Sequence, residues 1–257
     1  MSYSAAVVIL LALVSCCQSA RFGEWKNLPA KMLRVSAGEK GIYGLDIHKN
    51  VYRLDGRKWQ AIAGGGNNRE VASSVGEVWI VKDDGSMSVG DGERDVSRKN
   101  WIDRPGNKAE LDVSNGGNIW AVNRGGDLYR YRRGSWVRID GGGIHITVGD
   151  SGVWHVNSAG RVYYRRYTYN DQDTDGGSWE EVSSSPKMKW LASGTDIVLA
   201  LRTDGALYYR DGMATGNPMG TGWVQVPGVV LKTVAVNHSL VIGTDNSNNV
   251  KYTTLHY

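Results

Sequence analysis

The chain has 257 residues, with 30 Lys and Arg against 26 Asp and Glu, a net charge of +4 and a pI near 9.0. A charge this small, scattered among carboxylates, lacks the basic stripe that a nucleic-acid partner requires, and no apolar run of membrane-spanning length follows residue 20. One Phe stands beside ten Trp and thirteen Tyr, so the aromatic surface carries polar handles, and 34 Gly suit a chain of many tight turns.

Residues 1–20 hold no charged side chain and run through an apolar stretch at 5–14 into Ser19 and Ala20. This reads as a secretory signal peptide, leaving residues 21–257 as a single extracellular domain. Both cysteines, Cys16 and Cys17, fall inside that leader, so the mature domain is expected to rely on its core and architecture and not on disulfides.

In chain order, residues 22–28 read as one strand standing alone. Residues 31–62 then give four short strands, around 33–35, 42–45, 51–54 and 59–62, each apolar on alternate positions and closed by a Gly or Asx turn. The same sentence repeats. Its closing tryptophans are Trp25, Trp59, Trp101, Trp136, Trp179 and Trp223, in steps of 34, 42, 35, 43 and 44 residues. A second mark follows each by 18 to 20 residues, at Tyr43, Trp79, Trp120, Trp154, Leu199 and Val241. Nine residues further lie Tyr52, Tyr129, Tyr163 and Tyr208, with Ser88 in the second unit and the mark displaced to Tyr252 in the sixth.

A period of this size with four strands per unit predicts an all-β propeller of six blades of four antiparallel strands. Residues 234–236, 240–242 and 250–253 supply only three strands at the C-terminus. The orphan strand at 22–28 is therefore expected to complete the last blade and close the ring, removing exposed edges. Asx/Gly turns at 46–50, 83–85, 123–127, 157–160, 204–205 and 245–249 would share one face. The inserts at 90–100, 167–178 and 211–222 would lie on the other.

The pattern Ile119-Trp120-Ala121-Val122-Asn123 with Leu128-Tyr129, matched by Val153-Trp154 through Asn157 to Val162-Tyr163, resembles the tectonin repeat. Over nearly all of residues 21–257 the chain is similar to the secreted tectonin-type lectins, the group of fish-egg lectins and tachylectin-type proteins. The resemblance implies a multivalent carbohydrate-binding protein for microbial or egg-surface glycans, such as lipopolysaccharide or N-acetylhexosamine-containing sugars, in innate defence. Leu199, Val241 and Ser88 depart from the family pattern, and the disulfides of fish-egg members have no counterpart after Cys17.

Sugar recognition needs aromatic faces beside fixed amides, carboxylates and guanidiniums. The repeats offer Trp79, Trp120 and Trp154; Asp46, Asn123 and Asn157; Tyr52, Tyr129, Tyr163 and Tyr208; and, one or two places on, Arg130 and Arg165. The fullest sets are Tyr43-Asp46-Tyr52, Trp120-Asn123-Tyr129 and Trp154-Asn157-Tyr163. Against this stands the alternative that the aromatics only pack blade on blade and the Asx residues only make turns. Asp171, Asp173 and Asp175 match the first half of a calcium loop, although Val182 stands where a Glu ligand belongs; a solvated turn is the alternative, and no other cofactor is called for. Asn237-His238-Ser239 is an N-glycosylation acceptor. The histidines show no metal spacing and no nucleophile motif is present, so binding and not catalysis is expected. A secreted scaffold for protein partners is the competing reading, and the oligomeric state is left open.

Overall fold

The computed structural model describes residues 20–39, 41–63, 66–91, 101–183 and 185–256. The leader, apart from Ala20, and most of the insert at 90–100 lie outside the described residues. Those described form strands and turns without a helix, so none is long and apolar enough to cross a membrane.

A short β1 (Arg21–Phe22) precedes the long β2 (Lys26–Gly38), and β3 (Gly41–Asp46), β4 (Val51–Asp55) and β5 (Lys58–Ala63) follow β2 in antiparallel order. Four separate four-stranded sheets come next. They are β6 (Asn68–Ser73), β7 (Glu77–Lys82), β8 (Met87–Asp91), β9 (Ile102–Arg104); then β10 (Glu110–Val113), β11 (Ile119–Val122), β12 (Leu128–Arg132), β13 (Ser135–Ile139). After these come β14 (His145–Gly149), β15 (Gly152–Val156), β16 (Val162–Arg165), β17 (Trp179–Glu181), and β18 (Met188–Ser193), β19 (Val198–Arg202), β20 (Ala206–Asp211), β21 (Gly222–Val230). The chain ends with β22 (Thr233–Asn237), β23 (Leu240–Thr244) and β24 (Asn249–His256).

The last three strands share one sheet with the first, in the order β22-β23-β24-β2-β3-β4-β5. β2 is continuous and serves twice. Its first residues pair with β24, as Lys26↔Tyr252 and Leu28↔Val250, while its second half pairs with β3, as Val35↔Gly44. Pro29 sits where the register with β24 shifts between Leu28 and Lys31, at a bulge where a missing N–H is tolerated. β1 extends the pairing to Phe22↔Leu255. Each sheet's first strand lies against the next sheet's first strand, from β2 through β6, β10, β14 and β18 to β22, and β22 lies against β2.

The core is a set of layers between neighbouring sheets. Alternate residues of β11 face opposite ways: Ile119 and Ala121 pack with Trp79, Met87 and Val89, whereas Trp120 and Val122 pack with Ile146, Val148 and Val153. Both faces of a second strand are thus buried, which is why these strands read as continuous apolar runs. The first strands approach so closely that a Cβ on Gly149 would lie 2.3 Å from the Ser193 carbonyl oxygen, so only glycine fits there.

Strand register corrects one sequence assignment. Trp120 lies opposite Arg130 and Ala121 opposite Tyr129; in the last sheet Ile242 lies opposite Tyr252 and Gly243 opposite Lys251. The turn at 245–249 has the length of those at 46–50 and 123–127, so no residue is inserted. Ile242 occupies the tryptophan position there, and Lys251, not Tyr252, the tyrosine position.

Candidate functional site

Six hairpins between second and third strands are tied around one end of the molecule. The residue entering each following first strand bonds the fourth residue of the preceding turn. Met32 N donates to Asn248 O (2.8 Å), Lys108 N to Gly85 O (3.2 Å), Gly143 N to Gly126 O (2.9 Å), Met188 N to Gly160 O (3.0 Å) and Leu231 N to Gly205 O (2.9 Å). At the remaining joint the Asn68 side chain replaces the backbone, donating to Lys49 O at 2.8 Å.

Within each turn an Asx carboxyl or amide oxygen holds the loop. Asp46 Oδ1 accepts from His48 N (2.9 Å) and Asn50 N (2.8 Å), and Asn157 Oδ1 from Ala159 N and Arg161 N (both 3.0 Å). Asn123 Oδ1 accepts from Asp127 N at 2.9 Å. Lys82 and Arg202 stand at that first position in two sheets, and there Asp84 and Asp204 brace the turn from two residues on. The Asx residues are turn makers in the first place. In two of the turns the Asx side chain also meets the third-strand residue beside it. Asn123 Nδ2 reaches the Tyr129 hydroxyl at 3.4 Å, and burial together with Asp46 pushes the Tyr52 phenol above its ordinary range. Tyr163 donates to Glu181 Oε2 at 3.1 Å, and Tyr208 accepts from Arg202 Nη1 at 3.2 Å. At the equivalent place in the other two sheets Ser88 bonds Asp103 (2.9 Å) and Lys251 bonds Asn27 (3.1 Å). The rim therefore repeats a polar group on a rigid turn, half-exposed at Tyr52, Tyr129, Tyr163 and Lys251 and buried at Ser88 and Tyr208.

The other expected site residues lie elsewhere. Tyr43, Trp79, Trp120 and Trp154 are at most 2% exposed and fill the inter-sheet layers, so their faces are turned to protein and not to a ligand. Arg130 and Arg165, also buried, stack toward Trp120 and Trp179 at 6.0 and 5.1 Å. These two arginines do not share a strand position, since Arg130 lies opposite Trp120 and Arg165 opposite Trp179. Both anchor the loop at 166–178. Arg130 pairs with Asp173 and with Asp175 (2.9 Å), Arg132 with Asp175 (2.8 Å), and Arg165, paired with Asp140 (2.7 Å), donates from Nε to Asp175 O (2.8 Å). Asp171 accepts from Gly116 N (2.6 Å) and Asn118 Nδ2 (2.8 Å). Asp173 and Asp175 are thus held by Arg130 while Asp171 is turned to Gly116 and Asn118, and among the described residues no group of three or more His, Cys, Asp or Glu side chains is placed to hold a metal. Asn237 Nδ2 donates inward to Gly38 O at 2.6 Å, so the amide nitrogen that a glycan would take is engaged by β2.

Sequence reasoning missed the cluster lining the central channel. Arg34, Glu70, Glu110, His145, Trp190 and Thr233 occupy one register level, one on each of β2, β6, β10, β14, β18 and β22, opposite Leu45, Val81, Val122, Val156, Leu201 and Thr244. Arg34 pairs with Glu70 and with Glu110 (2.9 Å), His145 Nδ1 bonds Glu110 at 2.8 Å, and the His145 ring stacks on Trp190 at 4.2 Å. Burial, only partly offset by Arg34, pushes Glu70 up to about 7. For Glu110 burial works the same way, but His145 and Arg34 outweigh it and hold the carboxyl near about 2. His145 is raised: burial opposes its charge, and Glu110 more than compensates. Two carboxylates with divergent acidity form an acid–base pair in principle, but the cavity is about 70 Å³. That is room for a few waters, not for a sugar ring.

Comparison with known proteins places these features. A family model described as the Tectonin domain matches residues 32–246. The perivitellin-2 31 kDa subunit of Pomacea maculata is 37% identical over 81 residues, covering 32% of this chain and 27% of that protein. A tectonin β-propeller repeat-containing protein of Drosophila melanogaster is 24% identical over 98 residues, covering 35% of this chain and 7% of its own length. The chain thus spans about a quarter or less of these curated relatives. Among solved structures, the β-propeller domain of Cps50 (Swd1) from Myceliophteria thermophila aligns with a TM-score of 0.56 at 8% identity, over 91% of this chain and 99% of that one. Prp20p from Saccharomyces cerevisiae aligns with a TM-score of 0.54 at 11% identity, over 87% and 68%. At such identities the likeness is one of β-propeller fold.

Proposed function

Because the chain belongs to the tectonin domain family, we propose that it is a secreted, multivalent carbohydrate-binding protein. In this reading the four separate sheets and the two halves of the sheet shared by the chain's ends are the blades of one six-bladed ring, closed where residues 21–28 pair with β24. The single observation that carries the proposal is the repeated rim. Around one end, each hairpin presents a polar third-strand side chain bonded to a fixed partner, with tyrosine at four of the positions. Tyr52, Tyr129, Tyr163 and Tyr208, with Asp46, Asn123 and Asn157, are the sugar-contacting residues, while the buried tryptophans and arginines brace them. Shallow polar sites of this kind bind one sugar weakly. A ring of them gains by avidity on a repetitive surface, by up to about 10²–10⁴ where the geometry allows simultaneous contact. Microbial or egg-surface glycans are such surfaces.

The test is a broad glycan array that includes bacterial polysaccharides, probed with the parent protein and with Asn123→Ala/Asn157→Ala. Binding displaced by free sugar and weakened at least tenfold on the multivalent surface in the double variant is the expected result. No glycan bound, together with a sugar-indifferent protein partner, would replace this proposal with a protein-binding scaffold.

A further inference from the structure

The joint residues that bond the preceding turn are buried apolar side chains in three sheets, Met32, Met188 and Leu231, as close packing between sheets demands. Lys108 holds the same position and is only 4% exposed. Its Nζ lies 3.9 Å from the Tyr129 ring centroid and 4.9 Å from that of Trp136. Among the described residues it has neither a carboxylate nor a hydrogen-bond partner at Nζ. Burial holds the ammonium below the usual lysine range, and no neighbouring charge acts against that. The acids of the adjoining turns and of β9 are committed elsewhere: Asp127 to Arg138 and Asn123, Asp83 to Lys49, and Asp103 to Ser88. A covered cation is costly without an anion, and two aromatic faces offset only part of that cost.

Tyr129 is the ring that covers this cation, and it is also the rim tyrosine of its sheet. It is half-buried, and its hydroxyl is held by one long bond, 3.4 Å, from Asn123 Nδ2. Turning that ring aside would bring an ammonium, a phenol and an amide to face one ligand. We propose that the site on the β10–β13 sheet takes a sugar bearing an anionic substituent, a carboxylate, sulfate or phosphate, whose charge Lys108 neutralises. The inference rests on the glycan-binding reading and adds a ligand class to one site in the ring. Met32, Asn68, Gly143, Met188 and Leu231 at the other joints supply no cation, so a covered ammonium at the joint is particular to this sheet.

Lys108→Met restores the residue found at 32 and 188 and is expected to fold at least as stably as the parent. Parent and variant are compared on immobilised glycans in matched pairs: oligogalacturonate against its methyl ester, and sulfated or phosphorylated polysaccharides against their unmodified forms. The expected result is at least tenfold preference of the parent for one charged form, abolished in Lys108→Met while neutral binding is kept. The charged arm that responds identifies the substituent. In parallel, the Lys108 amine, followed by nitrogen-15 NMR, should titrate higher when that glycan is bound. Equal binding of charged and neutral forms, or a preference that survives Lys108→Met, overturns this inference and leaves the glycan reading intact. Failure of the parent to bind any glycan overturns both.

Discussion

The channel ring and the hairpin rim are built from equivalent strand positions, yet one varies from strand to strand and the other largely repeats. Six copies of Arg34 around a cavity of about 70 Å³ would repel one another without water to screen them. The ring therefore mixes Arg34, Glu70, Glu110 and His145 with Trp190 and Thr233, so that charges meet their opposites. At the rim each third-strand residue answers to partners in its own sheet and to water, and four sheets keep the same tyrosine. Repetition survives where a residue meets its own blade and is erased where residues from different blades converge.

The largest expected effect lies in the ring. Arg34→Met leaves Glu70 and Glu110 buried without their shared cation and should cost about 3–5 kcal/mol of stability, read from urea unfolding. Adding Glu110→Gln should return part of that loss. If Arg34→Met unfolds at the parental midpoint, the ring is not a staple between sheets.

A smaller effect separates two buried groups by the sign of their pH dependence. Glu70 titrates at about 7 when folded, above its ordinary 4.5, so its stabilising contribution is full below pH 4.5 and is lost as pH rises to 7. His155 is driven down to about 4 by burial against Tyr163 and Trp179; its contribution is present above pH 6.5 and is lost as pH falls to 4. Glu70→Gln should therefore gain steadily on the parent as pH rises from 4.5 to 7, by at most about 1.4 kcal/mol per pH unit. His155→Phe should gain on the parent in the opposite direction, toward acid. Parallel stability curves for either variant and the parent would contradict the assignment.

The smallest effect on folding belongs to the rim. Asn123→Ala and Asn157→Ala each remove turn hydrogen bonds worth about 0.5–1.5 kcal/mol, so the double variant should stay folded in circular dichroism while losing its hold on a multivalent surface.

The strand repeat and its turns were legible because tryptophan, Asx and tyrosine spacing records local strand and hairpin lengths. The pairing of residues 21–28 with β24 could be read by counting strands, since 234–253 supply three and lack a fourth. Exposure was less legible. Alternation at Trp120 says that two faces exist, but not that both meet another sheet, and so tryptophans read as sugar platforms are inter-sheet packing. Arg34, Glu70, Glu110 and His145 carry no shared motif, because their relation exists only after distant strands converge. Lys108 escaped notice for the same reason: its oddity appears only beside Met32 and Met188 at the matching joints.

The central claim, that ligand is held at the rim and not in the channel, is tested most directly by following tyrosine and histidine ring signals by NMR during titration with the best glycan from the array. The account predicts shifts at Tyr129 and Tyr163 with the His145 ring unmoved. Shifts at His145 with the rim tyrosines silent would contradict it.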